Sequence, residues 1–299
     1  MITWRLWRAL QHPPVQHPLY RRVLLLRPAA GVRLDEALTF RFLWRLALPI
    51  LFVSIFALTP IILPLIVVSP VLLPLIANLR GGVWAVKTGG AIARENEQGT
   101  YDLLALLPFG AFGANWVIGS GCLYRGSSFA DLQTFVRILM HFLLLVLGIA
   151  LVIAIILMAA EPPSPKPLES QGQVFMTLVN LAALIAAFYI DYVQSVIVGI
   201  LVGMLAPAHA HNRFDTRAWG LFSYLFLQVS TYLITWLIGF QLVPTLYQAL
   251  NFKGILAEFS LPIFRLAVFY LAREVIIATL WRALTWQLNA VSSDLNVLS

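Results

Sequence analysis

Long apolar segments recur along this chain of 299 residues, and they limit what it can fold into more than any other feature. Hydrophobic residues make up 60% of the sequence, charged residues make up 11%, and the mean hydropathy is +0.86. A soluble domain could not hide that much apolar side chain in one compact core. Runs of about 20 apolar residues match the length of a helix that crosses a bilayer, whereas barrel strands alternate in polarity. We therefore predict an all-α protein, a polytopic membrane helical bundle.

Six transmembrane helices account for the apolar segments after residue 42. The region from Phe42 to Leu79 would measure roughly 50 Å as one helix, which is too long for a hydrocarbon core of about 30 Å. We divide this region near Pro60 into two spans, and a re-entrant hairpin is the alternative. The predicted transmembrane domain occupies residues 43–290, with spans at about 43–59, 61–79, 135–159, 174–204, 219–243 and 262–286.

A basic arm, residues 1–42, precedes the spans, and a short tail, residues 291–299, follows them. One face of a predicted helix in the arm is apolar and aromatic, and it consists of Trp4, Leu6, Trp7 and Leu10. Arginines lie beside this face, a pattern typical of an amphipathic helix at a membrane interface. His12-Pro13-Pro14 ends the helix. We interpret the arm as an anchor on the membrane surface.

The distribution of Lys and Arg orients the predicted bundle. Residues 1–47 hold eight of these cations, 80–132 hold four, 205–217 hold two, and Arg282 lies near the C-terminal end. The predicted loops on the opposite side hold only two lysines, and membrane proteins concentrate such cations on the cytoplasmic side. We therefore predict a multi-pass protein of the bacterial cytoplasmic (inner) membrane with both termini in the cytoplasm. The same bias explains the net charge of +7 without nucleic acid as a partner.

The densest group of acidic and polar side chains lies in a cytoplasmic segment, residues 91–108. Gly99 is placed to end one helix in a left-handed cap, and Thr100 is placed to cap the next helix. Asp102 falls in the first turn of that second helix, where the helix dipole favours an anion. Pro108 limits its length, and its apolar residues are Leu103, Leu104, Leu106 and Leu107. A helix this apolar at a membrane surface needs a cover, which lipid, its own spans or a partner protein could supply.

The glycine-rich stretch that follows, residues 109–133, has no convincing span. We predict that it packs on the membrane face or against other helices, and we assign it no chemistry.

Several kinds of chemistry find no support in the sequence. Gly81-Gly82 and Gly89-Gly90 lack the spacing and lysine of a phosphate-binding loop, so we do not expect this chain to hydrolyse ATP. The single cysteine, Cys122, excludes an internal disulfide. His209 and His211 are two residues apart in a predicted loop, which is poor spacing for a metal site. We therefore predict a non-catalytic chain without a metal site or a bound cofactor.

Charged residues lie within two of the predicted spans. Asp191 falls in the fourth span, and Arg273-Glu274 falls in the sixth. A charge near the bilayer centre costs roughly 2.5–3.5 kcal/mol or more and usually faces a partner or water. An ion pair between Asp191 and Arg273 that holds the bundle together is the favoured interpretation. The alternative is that these residues line a polar substrate path.

The acidic segment resembles the cytoplasmic motif of ABC transporter permeases of the exporter-like second type. Sequences of this family commonly run Glu-Arg-Glu-x-Gly-Thr, followed by an acid, paired leucines and a proline. The matching positions in this chain are Glu95, Glu97, Gly99, Thr100, Asp102, Leu103, Leu104 and Pro108. The order of arm, two spans, motif and four spans agrees as well. Asn96 replaces the usual central arginine, and the 109–133 stretch is an insertion relative to the family pattern.

The resemblance implies that the motif is a coupling helix. In the family, this segment docks into a groove of a separate ATP-binding subunit, which binds ATP and Mg and transmits its closure to the spans. Such permeases work as homodimers or heterodimers in membrane lipid, and substrate passes between the two copies. The implied activity is export of an unidentified, amphipathic substrate. The alternative interpretation is a permease-like scaffold or accessory subunit of a larger membrane protein complex without transport activity.

Overall fold

The computed structural model describes residues 1–25, 62–106, 110–125, 128–160, 167–210, 212–251 and 254–290. All regular secondary structure within these ranges is helical. The α-helices are α1 (Ile2–Gln11), α2 (Pro18–Leu25), α3 (Ile62–Glu97), α4 (Tyr101–Ala105), α5 (Gly110–Tyr124), α6 (Ser128–Ala160), α7 (Pro167–Leu205), α8 (Arg213–Trp236), α9 (Val243–Ala249) and α10 (Ile255–Gln287). The all-α prediction is confirmed for the described part of the chain.

Three candidate spans in the described residues are long and apolar enough to cross a membrane. They are Phe129–Ile156 in α6, Gln173–His209 on α7, and Arg213–Ala249 across α8 and α9. These helices coincide with the predicted spans 135–159, 174–204 and 219–243, and they indicate a membrane protein.

The other three predicted spans have different outcomes. Span 43–59 lies outside the described residues, as does the tail 291–299. Span 61–79 falls largely within α3, which continues as one helix to Glu97. Span 262–286 falls within α10, but that helix carries several charges and is not among the three candidates. The six-span bundle therefore stays a prediction.

The core forms where α7 crosses α3, with α8 packed on α3 and α10 packed on α7. Small residues allow this close approach. A Cβ atom added at Gly203 of α7 would lie 2.7 Å from the carbonyl oxygen of Ala85 in α3, which is closer than real Cβ contacts. The C-terminal half of α7 is consequently enclosed, and every residue from Asp191 to Met204 is buried.

Protein covers part of the apolar face of the N-terminal arm, whereas Trp4 of the same face is 38% exposed, and the role of the arm as a membrane anchor stays a prediction. Helix α1 ends at Gln11, next to the predicted stop at His12. Most of its apolar face does not lie free for lipid, because Leu6, Trp7 and Leu10 are buried in the same core as α7. The sequence shows that this face is apolar, but it does not show whether lipid or protein covers it.

The glycine-rich segment also forms a helix. Most of α5 is buried, from Phe112 to Leu123, and it packs on α2, α3 and α7. The predictions for this segment were packing on the membrane face or packing against other helices, and the structure shows packing against other helices. A Cβ atom at Gly121 would lie 2.9 Å from Val23 of α2, so glycine permits the contact between α5 and the arm.

A short π-helix, Leu237–Leu242, joins α8 to α9. Pro244 lacks an N–H group and its ring crowds the preceding turn, so a regular α-helix is disfavoured there. The carbonyl of Gly239 accepts a hydrogen bond from Arg265 Nε at 3.1 Å. The α10 helix thus supplies a donor to a carbonyl at this irregular turn.

Candidate functional site

The motif residues form a sharp corner between α3 and α4, which we define as residues 95–106. Gly99 has a positive φ of 66°. Its N–H donates to the Asn96 carbonyl at 3.0 Å, and the Thr100 N–H donates to the Glu95 carbonyl at 3.1 Å. This pair of bonds is a Schellman motif, which requires a left-handed residue that glycine adopts without steric cost. The predicted left-handed cap is confirmed.

Thr100 occupies the predicted cap position but does not cap α4 with its side chain. Its backbone is helical, and its hydroxyl donates to Glu95 Oε2 at 2.6 Å and to the Glu95 carbonyl at 3.2 Å. The predicted side-chain cap is therefore wrong: a capping residue has an extended backbone, whereas Thr100 is helical and its hydroxyl is turned towards Glu95. Asp102 lies in the first turn of α4 as predicted, and it is exposed.

Glu95 points into the protein. Only 4% of the residue is exposed, and its carboxylate oxygens lie 3.3 and 3.4 Å from Nη2 of Arg22 in α2. The carboxylate therefore joins the end of α3 to the arm through Arg22 and to α4 through Thr100. The contact with Arg22 is not predictable from the motif, because Arg22 is 73 residues away from Glu95 in sequence.

Glu97 is exposed but also bonds within the chain. Its Oε1 accepts a hydrogen bond from the backbone N–H of Arg213, the first residue of α8, at 2.9 Å. The corner is thus attached to two elements that are distant in sequence, α2 through Glu95 and α8 through Glu97.

Helix α4 presents an uncovered apolar surface. Leu103 is 66% exposed and the adjoining Leu106 is 82% exposed, whereas Leu104 turns towards the core. Leu104 also lines an open cavity of about 760 Å³ beside the turn between α1 and α2. Leu107 and Pro108 lie outside the described residues.

The pKa shifts near the corner come from burial. The pKa of His17, which lines that cavity, is lowered, and its Nδ1 accepts the Leu19 N–H at 3.2 Å. Burial together with neighbouring Tyr124 raises the pKa of Tyr20 to about 12. Both side chains are therefore neutral at pH 7, and the positive charge beside Glu95 comes from Arg22.

A polar cluster links four helices elsewhere in the core, and its members are buried except for half-buried Asn78 and exposed Tyr232. We define it by Asn78 of α3, Asp191 and Ser195 of α7, Tyr224, Gln228 and Tyr232 of α8, and Arg273 of α10. Arg273 Nη2 lies 2.5 Å from Asp191 Oδ1, so the ion pair suggested by the sequence is present. Both side chains are nearly inaccessible, at 2% and 3% exposure. The structure therefore brings these two predicted residues together.

Arg273 is held on several sides. Its Nη2 also donates to Gln228 Oε1 at 2.6 Å, and its Nη1 donates to Ser195 Oγ at 3.0 Å. The rings of Tyr232 and Phe269 lie 5.2 and 5.1 Å from the guanidinium carbon, within the range of cation–π attraction. Such a fixed cation is suited to holding helices together.

The remaining bonds extend the cluster to α3. The Tyr232 hydroxyl donates to Asp191 Oδ1 at 2.8 Å and accepts from Asn78 Nδ2 at 2.6 Å. Ser195 Oγ donates to Asn78 Oδ1 at 3.2 Å. Asn78, Ser195 and the three α8 residues were not among the residues predicted from the sequence. For Ser195 and the α8 residues, the signal was polar side chains four residues apart within apolar spans, which lie on one helix face; Asn78 has no such partner on α3.

Glu274, the third predicted intramembrane charge, is not part of this cluster. Its Oε1 accepts the Ile2 N–H at 2.6 Å, and its Oε2 accepts the Thr3 hydroxyl. The carboxylate thus binds the free N–H groups at the start of α1, where the helix dipole favours a negative charge. Arg273 and Glu274 are adjacent in sequence but hold different elements.

The described residues contain no group of three or more metal-ligating side chains. His209 Nδ1 lies 3.4 Å from the Leu205 carbonyl, and His211 lies outside the described residues. No protein-family model, curated protein or solved structure matches this chain.

Proposed function

We propose that this chain is the membrane subunit of an ABC transporter and that α4 is its coupling helix. The observation that carries the proposal is the corner: a Schellman turn anchored on both sides presents Leu103 and Leu106 to solvent, with no covering element in the described chain. An apolar helix face of this kind fits a groove on a partner protein. A separate ATPase subunit would supply that groove and would bind the ATP and Mg.

The geometry of the corner would allow a movement of α4 to be transmitted to α3, because the two helices are joined by a rigid turn. Helix α3 runs without interruption from Ile62 to Glu97, and the turn at Gly99 leads directly into α4. A force applied to α4 therefore acts on the end of a helix that extends roughly 50 Å. In this proposal the chain itself is non-catalytic, and it couples ATP hydrolysis to export of an amphipathic substrate.

The structure changes the role that the proposal gives to the two glutamates. The resemblance implies that the whole motif, including both glutamates, docks on the ATP-binding subunit. Glu95 is buried against Arg22, and Glu97 bonds the start of α8, so both are engaged within the chain. We assign the partner contact to the leucines of α4 and the internal attachment to the glutamates.

In this proposal the corner lies in the cytoplasm, where ATP is available, and the bias of Lys and Arg towards the same side supports this. A second permease copy would complete the transport path, as a homodimer or a heterodimer in membrane lipid.

Purification in mild detergent from the source membrane tests the proposal. We expect an ATP-binding subunit to copurify with the wild-type chain and to be lost from the variant Leu103→Asp/Leu106→Asp. Trp286→Asp is the matched control, because Trp286 is also apolar and is 83% exposed at the end of α10. Retention of the ATPase by the leucine variant would contradict the assignment of α4. Stoichiometric copurification of other membrane subunits without an ATPase would favour the scaffold alternative.

A further inference from the structure

We propose that Glu97 is a positioning residue that fastens the corner to α8, so that displacement of α4 is passed to α8 as well as along α3. This inference rests on the proposed function, in which α4 receives the force from a partner. It concerns an attachment inside this chain, which is measurable without that partner.

The bond has the geometry of a helix cap supplied from a distant element. The first N–H groups of a helix have no partner within it. At the start of α8, Asn212 Oδ1 accepts the Asp215 N–H at 2.8 Å, and Glu97 Oε1 accepts the Arg213 N–H at 2.9 Å. The first acceptor is local, whereas the second comes from the last residue of α3. A carboxylate at this end of a helix also interacts favourably with its dipole.

The charges around Glu97 make its carboxylate important for this contact. Arg94 of α3 and Arg217 of α8 are the cations that act on Arg213, and Glu97 is the carboxylate that acts on it. Arg217 lies against the backbone of α3, since a Cβ atom at Gly90 would be 2.8 Å from its Nε. Removing Glu97 would therefore leave arginines facing one another where α3 meets α8.

Helix α8 leads from this contact to the polar cluster. Tyr224, Gln228 and Tyr232 are spaced four residues apart on α8, and all three bond within that cluster. The distance along the helix from Arg213 to Gln228 is about 22 Å. A shift of the first turn of α8 is therefore passed along this helix to Gln228 and Tyr232, which bond Arg273 and Asp191. Glu97 is the side chain that connects the corner to α8 and, through α8, to the polar cluster.

Distance measurement between two spin labels in the full-length chain tests the inference. The labels are attached at Leu103→Cys on α4 and Ala218→Cys on α8, both exposed positions, in a Cys122→Ser background and in lipid nanodiscs. We expect Glu97→Ala to broaden the distance distribution and shift it to longer distances. Glu97→Gln keeps an acceptor oxygen for the Arg213 N–H but loses the charge, so we expect a distribution between those of the wild type and Glu97→Ala.

Gln98→Ala is the matched control, because Gln98 is the exposed neighbour of Glu97. A distribution for Glu97→Ala equal to that of Gln98→Ala would overturn the inference. A Glu97→Gln distribution as broad as that of Glu97→Ala would overturn it too, because the hydrogen bond would then not be the fastening contact. These outcomes do not depend on copurification of an ATPase, so failure of the inference and failure of the proposed function are distinguishable.

Discussion

The corner and the polar cluster are both built around an arginine–carboxylate pair, but they differ in exposure and in the number of bonds. At the corner, the side chain of Arg22 is 46% exposed and lies 3.3 Å from Glu95. In the cluster, Arg273 is 2% exposed, 2.5 Å from Asp191, and bonded to further side chains. The first arrangement suits a contact that adjusts under load, and the second suits a fixed junction. Variants in each region should therefore have effects of different size.

The largest effect is expected for Arg273→Leu. Removing one partner of a buried pair leaves an uncompensated charge, at a cost of about 3–5 kcal/mol. Thermal unfolding in detergent, followed by size-exclusion chromatography with fluorescence detection, should show a large loss of stability. Arg282→Leu, an exposed arginine on the same helix, is the control and should behave like the wild type. The double variant Asp191→Leu/Arg273→Leu should recover part of the lost stability. An unchanged unfolding temperature for Arg273→Leu would contradict the claim that the buried ion pair stabilises the fold.

Steric overlap at the α3–α7 crossing should have the next largest effect. Gly203→Val places a Cβ atom against the Ala85 carbonyl, and overpacking of this kind costs about 1–3 kcal/mol. Gly148→Val is the matched control, because a Cβ atom at Gly148 meets nothing within 4 Å. The same unfolding assay should therefore separate the two variants, and equal stability would show that the crossing is looser than described.

A smaller effect is expected at the corner itself. Glu95→Ala removes the contacts with the half-exposed Arg22 and with the Thr100 hydroxyl, each worth about 0.5–1.5 kcal/mol. We expect faster hydrogen exchange in α2 and α4 with little change in α10. Mass spectrometry of the exchanged peptides measures this difference, with Gln98→Ala as the control. Exchange that rises equally in α10 would mean that Glu95 supports the whole bundle rather than the corner.

The smallest effect is a pH dependence at the start of α2. Burial lowers the pKa of His17 below its usual 6.5, so the folded arm favours the neutral ring that accepts the Leu19 N–H. This contribution is fully present above pH 6.5 and is lost as the pH falls through the lowered pKa. Exchange protection of α2, corrected for the intrinsic rate, should decrease between pH 7.5 and 5.5. His17→Gln should show no such decrease, and an equal decrease in both proteins would exclude His17 as its source.

The sequence predicted the parts of the fold that depend on local chemistry. The length of the apolar segments predicted α6, α7 and α8. Gly99 predicted the left-handed turn of the corner, because few residues other than glycine adopt that backbone conformation. The sequence did not predict that protein buries Leu6, Trp7 and Leu10 of α1 or that α5 is a buried helix. Whether lipid or protein covers an apolar face depends on tertiary packing.

Parts of the candidate site were predictable for a similar reason. A buried Asp191 needs a cation, and Arg273 lay in another span, so their pairing could be anticipated. The partners of Glu95, Glu97 and Glu274 could not be anticipated. They are Arg22 and backbone N–H groups, which come close only after distant elements meet. Backbone donors at a helix start leave no signature in side-chain identity.

The most direct test of the central claim is photo-crosslinking from α4 in membranes of the source organism. A photoreactive benzoylphenylalanine at Leu106, the most exposed leucine of the corner, should crosslink to a protein that contains an ATP-binding phosphate loop. The same group at Trp286 should not crosslink to that protein. Mass spectrometry of the adducts identifies the partner. An ATPase captured from Leu106 alone is the predicted result, and adducts only with lipid or with proteins lacking a nucleotide-binding site would contradict the account.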